Sequence, residues 1–201
     1  SEMVAAVTKL MTNMDLVYGA QKLCNTATCN TTIGRRGTLS SRLQPNHPTD
    51  NHDGIMASVM EGISYGVGDA VIGLNPVADT IDSVSSVLKK FNEFITDWRI
   101  PTQSCVLAHI TTQIEALKKG TPIDLMFQSL AGSEISNNAF GINVALLDEA
   151  YALMKEKKSS KGPNFMYCET GQGSELSSEA HNGADELVMK ARCYDLAKRY
   201  N

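Results

Sequence analysis

Five apolar stretches end in side chains able to bind or transform a small polar molecule. They read Ser41-Arg42-Leu43-Gln44-Pro45-Asn46, Gly73-Leu74-Asn75-Pro76, Leu107-Ala108-His109, Phe127-Gln128-Ser129 and Tyr167-Cys168-Glu169-Thr170-Gly171-Gln172-Gly173. Arg42 offers a planar fork of N–H donors, Gln44, Asn75 and Gln128 offer amides, and Glu169 offers a carboxylate. Residues two apart on a strand share a face, so Arg42 and Gln44 point the same way, as do Tyr167 and Glu169. A carboxylate closing an apolar strand is costly to bury alone, so Glu169 is expected to need Arg42 or a bound cation. Each residue also has a plainer reading. Arg42 can serve in a surface ion pair. Gln44 and Asn75 precede prolines and can be turn residues. His109 can be a core or rim histidine, while His47, His52 and His181 fall in loop-like stretches and are expected to be exposed. The Thr170-Gly171-Gln172-Gly173-Ser174 run can cradle a phosphate, but one Gly-x-Gly equally makes a flexible loop. No Ser-His-Asp order, HExxH or paired CxxC stands out. That leaves a polar binding site whose hard chemistry a cofactor would supply.

These groups need a scaffold that delivers strand ends to one place. Strand segments at 38–44, 69–75, 104–109, 125–129 and 164–169 alternate with helical patterns near 53–66, 79–97, 111–119, 137–157 and 182–199. A βαβ unit takes about 30 residues, and alternation of this kind predicts a parallel sheet. Ala70-Val71-Ile72-Gly73-Leu74 and Cys105-Val106-Leu107-Ala108 are apolar at consecutive positions, as strands buried on both faces are. In β/α barrels, as in doubly wound sheets, ligands bind at strand C-termini. The sequence thus reads as an α/β protein of the TIM (β/α)8 class represented by five βα units, an incomplete barrel. Residues 1–30 form a helical lead-in and 31–201 the partial catalytic barrel. In the lead-in, Met3, Val4, Val7, Leu10 and Met11 share one helical face, and Leu16, Val17, Ala20 and Leu23 another. Asn25 to Gly37 reads as a polar loop.

Composition narrows the class. The 201 residues are 42% hydrophobic and 20% charged, with net charge −4, and the mean hydropathy is −0.17. There is no basic field for nucleic acid. No apolar run reaches the roughly 18 residues of a membrane span, and the first residues lack a signal-peptide core. Five irregularly spaced cysteines argue against a disulfide framework and for a reducing, cytoplasmic setting. Cys105 and Cys168 are expected to be buried. Cys24 and Cys29, in a polar loop, make a weak metal signal, and no metal site is expected.

The strand-end runs, with Gly66-Val67-Gly68-Asp69-Ala70-Val71-Ile72-Gly73-Leu74-Asn75-Pro76, Phe127-Gln128-Ser129-Leu130-Ala131-Gly132-Ser133-Glu134 and Glu169-Thr170-Gly171-Gln172-Gly173-Ser174, resemble the large subunit of ethanolamine ammonia-lyase along essentially the whole chain. The resemblance implies adenosylcobalamin as cofactor and radical deamination of ethanolamine to acetaldehyde and ammonia. It implies that Glu169 meets the substrate ammonium, that Arg42 and Asn75 hold its hydroxyl and that Gln44 orients the amine. Phe140 would line the pocket, and Pro76, Gln128 and Ser177 would touch the cobalamin. A small-subunit partner, a homo-oligomer of large subunits and a bacterial microcompartment are implied as well. Arg35-Arg36 and Cys168 depart from the family pattern. Five strands in place of eight make the chain a piece of that barrel, inactive alone. The alternatives are a cofactor-independent barrel lyase or isomerase using Glu169 as acid or base, and a non-enzymatic scaffold.

Overall fold

A computed structural model describes residues 2–170 and 179–200. The chain divides into two compact units. The first comprises Ser1–Asn25, Ser129–Glu149 and Cys168–Asn201, and the second Thr26–Gln128 and Ala150–Tyr167.

The second unit is built on three parallel strands, β3 (Arg42–Leu43), β4 (Val71–Leu74) and β5 (Ser104–Val106), in that order. Arg42 pairs with Val71, and Gly73 with Cys105. All four β4 residues and all three of β5 are buried, as the unbroken apolar runs predict. Helices α3 (His52–Ser64), α4 (Ile81–Asp97) and α5 (Ile110–Lys118) follow the strands in turn. Their starts are fixed by side-chain caps: Asn51 accepts the Gly54 N–H at 2.9 Å, Thr80 accepts that of Ser83 at 3.2 Å, and His109 accepts that of Thr111 at 3.3 Å. In α4, Val84, Val87, Leu88 and Phe91 form the buried stripe expected of a 3.6-residue period.

Glycine at position 62 lets β3 lie close on α3: a methyl there would collide with Leu43 Cδ1. Leu43 therefore faces the helix. Arg42, one residue earlier, faces the opposite side together with its ladder partner Val71, and Gly73 and Cys105 share that side.

The strand starts are stitched by side chains. Asp69 accepts from the Ser41 N–H at 2.7 Å and Asp124 from the Ser104 N–H at 3.0 Å. A short antiparallel hairpin, β1 (Ala27–Thr28) with β2 (Thr32–Ile33), forms within the stretch expected to be a loop. It docks where Asn164 Oδ1 accepts the Thr28 N–H at 2.8 Å and Gly162 donates to the Cys29 carbonyl at 2.7 Å.

β6 (Met126–Leu130) and β7 (Met166–Thr170) make a separate two-stranded sheet, and Met126 N–H donates to the Phe165 carbonyl at 2.8 Å. The helix expected over 137–157 is two helices, α6 (Glu134–Ala139) and α7 (Val144–Lys157). Gly141, at φ 72°, breaks them, and Asn143 caps the second by accepting the Leu146 N–H at 2.9 Å. The described strands form three distinct sheets and no closed barrel.

In the first unit, α1 (Glu2–Leu10) packs on α8 (Glu186–Ala197), through Glu2 with Arg192 at 2.8 Å and Lys9 with Asp185. Helix α2 (Asn13–Lys22) opens on a capping box between Thr12 and Asp15. The apolar stripes of α1 and α2 face outward, with Met3, Val4, Val7, Leu10, Met14, Val17 and Tyr18 all exposed. Gly132 lies against the backbone of Met189, where any side chain would collide.

Candidate active site

Arg42 carries the most informative geometry in the second unit. Its Nη1 donates to the Tyr167 hydroxyl at 3.3 Å, and its guanidinium carbon lies 5.8 Å from the Tyr167 ring centre. Phe127 meets that ring edge-on at 6.0 Å. The Nε and Nη2 atoms are buried and have no hydrogen-bond partner among the described residues. Leaving a buried charged donor unmatched costs about 1–3 kcal/mol or more, so this edge of the fork can take an oxygen acceptor. Gly73 makes room for it: a methyl there would stand 3.2 Å from Arg42 Nε and 3.0 Å from Cys105 Sγ. Burial pushes the Cys105 thiol up to about 12 despite the Arg42 charge, so it is a neutral wall of the site.

Gln44 and Asn75 stand exposed on the loops that follow β3 and β4, and Pro76 is half-buried beside Asn75. The Asn75 N–H donates to Asn46 Oδ1 at 2.9 Å. The next two N–H groups, of Val77 and Ala78, both reach the Asp50 carboxylate at 2.9–3.0 Å. Asp79 in turn accepts the His109 N–H at 2.8 Å. Gln128 is 6% exposed and its Oε1 accepts the Ile110 N–H at 3.0 Å, so it anchors the first turn of α5 from the core. Thus Arg42 sits in the strand layer, with Gln44, Asn75 and Pro76 on the loops above.

Glu169 and Phe140 belong to the first unit. Glu169 is exposed on β7, so the desolvation argument for an obligatory partner does not apply to it. Phe140 is 59% exposed at the end of α6. Ser177 and the Gly171–Ser174 part of the glycine run lie outside the described residues.

The geometry and the sequence meet in one relationship. A family model for "Ethanolamine ammonia lyase large subunit (EutB)" matches residues 1–201. The chain belongs to this family. It is 52% identical over all its 201 residues to the ethanolamine ammonia-lyase large subunit of Escherichia coli (strain K12), and 50% identical to that of Salmonella typhimurium (strain LT2). In each case it covers 100% of this chain and 44% of the relative, so the chain spans less than half the length of the large subunits it matches.

Other side chains of this large-subunit chain depart from expectation. His47, His52 and His181 are half-buried rather than exposed. His47 Nδ1 lies 3.3 Å from the Asn51 N–H, and His52 Nε2 lies 3.1 Å from Ser86 Oγ, so both fasten helix α3. Cys29 is buried by the docked hairpin, its thiol reaching the Asp124 carbonyl at 3.6 Å, while Cys24 is exposed. Cys168 is half-buried, with its thiol pushed up to about 11 by burial. Among the described residues no cluster of three His, Cys, Asp or Glu side chains could hold a metal. A cavity of about 380 Å³ opens in the first unit beside Ser133, Asn137, Asn143 and Arg192, and none of the expected site residues lines it.

The residues that sequence reasoning missed are Tyr167 as a partner of Arg42, and Asn46 and Asp50 as partners of the β4 loop. The signal for the last two is the run of turn-forming residues Asn46-His47-Pro48-Thr49-Asp50 directly after a strand.

Proposed function

We propose that this chain carries the substrate-binding part of an ethanolamine-deaminating site within a β/α-barrel large subunit. The observation that carries the reading is the unmatched Nε–Nη2 edge of Arg42 at a strand end, in a chain of this family. That edge matches the hydroxyl oxygen of ethanolamine, whose charge rises as the carbinol carbon becomes a carbonyl. Asn75 and Gln44 supply amides on the loops above, for the hydroxyl and the amine respectively. Glu169 supplies the carboxylate for the substrate ammonium, a charge-assisted contact that keeps the leaving amine oriented. Phe140 contributes an apolar wall. Loss of ammonia from ethanolamine then leaves acetaldehyde.

Adenosylcobalamin, when bound, supplies the radical that starts the abstraction of hydrogen from the carbinol carbon. Pro76 suits a contact with so large a group, since it is half-buried on an outward loop whose backbone Asp50 fixes. Gln128 suits it less directly: committed to the Ile110 N–H, it acts by holding the start of α5. Ser177 completes the proposed set. The remaining barrel strands, a small subunit, further large subunits and a cytoplasmic microcompartment setting belong to the same reading.

Glu169→Gln in the full-length large subunit, assembled with its small subunit, is expected to abolish ammonia release while cobalamin binding, read by its visible spectrum, is kept. Normal turnover by that variant removes Glu169 from the reaction. Ammonia release without added cobalamin overturns the cofactor assignment in favour of acid–base chemistry.

A further inference from the structure

We infer that Asn46 and Asp50 are positioning residues, a paired clamp that sets where Asn75 presents its amide to the substrate. The inference rests on the reading of Asn75 as a substrate ligand. Four bonds from one loop hold one corner of the next. Asn46 Oδ1 takes the N–H of Asn75 itself at 2.9 Å. Asp50 Oδ1 and Oδ2 take the Val77 N–H at 3.0 and 2.9 Å, and Oδ2 also takes that of Ala78 at 3.0 Å. Between these, Pro76 has no N–H to offer and a fixed φ, so every backbone N–H from 75 to 78 is held.

A corner this exposed would otherwise hydrogen-bond to water and move. The Asn75 amide has one rigid anchor below it, the buried end of β4 at Leu74. The clamp supplies the second. Asp50 adopts φ 50°, a left-handed backbone that is uncommon outside glycine and that aspartate tolerates better than most residues. That conformation aims its carboxylate at two consecutive donors. The Asn46 N–H, bonded to the Gln44 carbonyl at 2.9 Å, ties the clamp back to the second amide of the proposed site. The loop bearing Gln44 and the loop bearing Asn75 therefore move as one piece.

A reacting group displaced by about 1 Å loses on the order of a hundredfold in rate. The test uses the full-length large subunit with its small subunit and cobalamin, and compares N46A, N46D and D50A alone and combined with N75A. Expected are a ten- to hundredfold fall in kcat/KM for ethanolamine in N46A and D50A, and recovery in N46D, which keeps an acceptor oxygen. Neither N46A nor D50A should cost anything further in an N75A background, since both act through Asn75. Full additivity with N75A, or unchanged kcat/KM in the single variants, overturns the clamp while leaving Asn75 as a ligand. An N75A enzyme with wild-type kcat/KM overturns the ligand role of Asn75, and the clamp's catalytic purpose with it. Should D50A fail to fold, N46A against N46D decides alone.

Discussion

A methyl group at position 73 would stand 3.2 Å from Arg42 Nε and 3.0 Å from Cys105 Sγ. Both distances are tighter than relaxed packing allows, and the guanidinium is the more easily displaced of the two. Gly73→Ala is therefore expected to push Arg42 off the Tyr167 hydroxyl. In the full-length enzyme kcat/KM for ethanolamine should fall about ten- to hundredfold, following the sensitivity of catalysis to small misplacements. Thermal melting should fall by only a few degrees; steady-state assays and melting curves on the same preparation check both. Wild-type kcat/KM in Gly73→Ala would show that the guanidinium does not need this space. At this scale the sequence was half legible. Strand parity puts Arg42 and Leu43 on opposite faces, and Leu43 is the one that lies against Gly62 of α3. The same parity gave the side chain its direction but not its neighbours. Tyr167, 125 residues away, is brought to Arg42 by the fold and by no local pattern. The exposure of Glu169 was equally hidden, because an apolar strand does not say where its last residues meet solvent.

Elements were more legible than contacts. Strands β3 to β7 and helices α3, α4, α5 and α8 coincide to within a few residues with the segments expected from hydrophobic period and caps, because those signals are local. Two were misread for physical reasons. The β1–β2 hairpin has two-residue strands with no usable alternation, and it is held by Asn164 and Gly162 rather than by its own sequence. The break between α6 and α7 rests on the left-handed Gly141, which a continuous apolar pattern conceals. Helix α5 shows what fixes an element that is only nine residues long. Gln113 is fully buried; its Nε2 donates to the Ala108 and Phe127 carbonyls at 2.8 Å, and its Oε1 accepts the Phe127 N–H at 3.2 Å. Gln113→Leu leaves three buried backbone groups unmatched, at about 1–3 kcal/mol for each. A melting temperature lower by several degrees is expected, whereas Gln113→Glu should keep the acceptor half of the arrangement and still lose both donations. A Leu variant melting with the wild type would mean that solvent reaches these groups.

Across the whole molecule, the thiols report how completely the units close. Burial pushes Cys29 and Cys168 up to about 11 and Cys105 to about 12, from an ordinary value of 9.0. Their folded values are raised, so the stability they contribute is fully present below pH 9. It is lost as pH rises through 11 to 12, where the unfolded chain has already released the protons. Chemical denaturation midpoints should accordingly fall above pH 9. At pH 8 a thiol reagent is expected to modify the exposed Cys24 first, and Cys29, Cys105 and Cys193 only on unfolding. Mass spectrometry of the labelled peptides checks this; early labelling of Cys105 would mean that the strand layer opens readily.

Neither unit is continuous in sequence, and that has a consequence for the chain while it is being made. The Thr28–Asn164 bond that docks the hairpin joins residues 136 apart. At about 5–20 residues per second, a ribosome needs roughly 7–27 s to deliver the second partner after the first. Helix α1 waits longer still, since Arg192 lies 190 residues beyond Glu2. Throughout that interval neither discontinuous unit can close, so the hairpin and helix α1 stay open to ribosome-associated chaperones until their partners emerge.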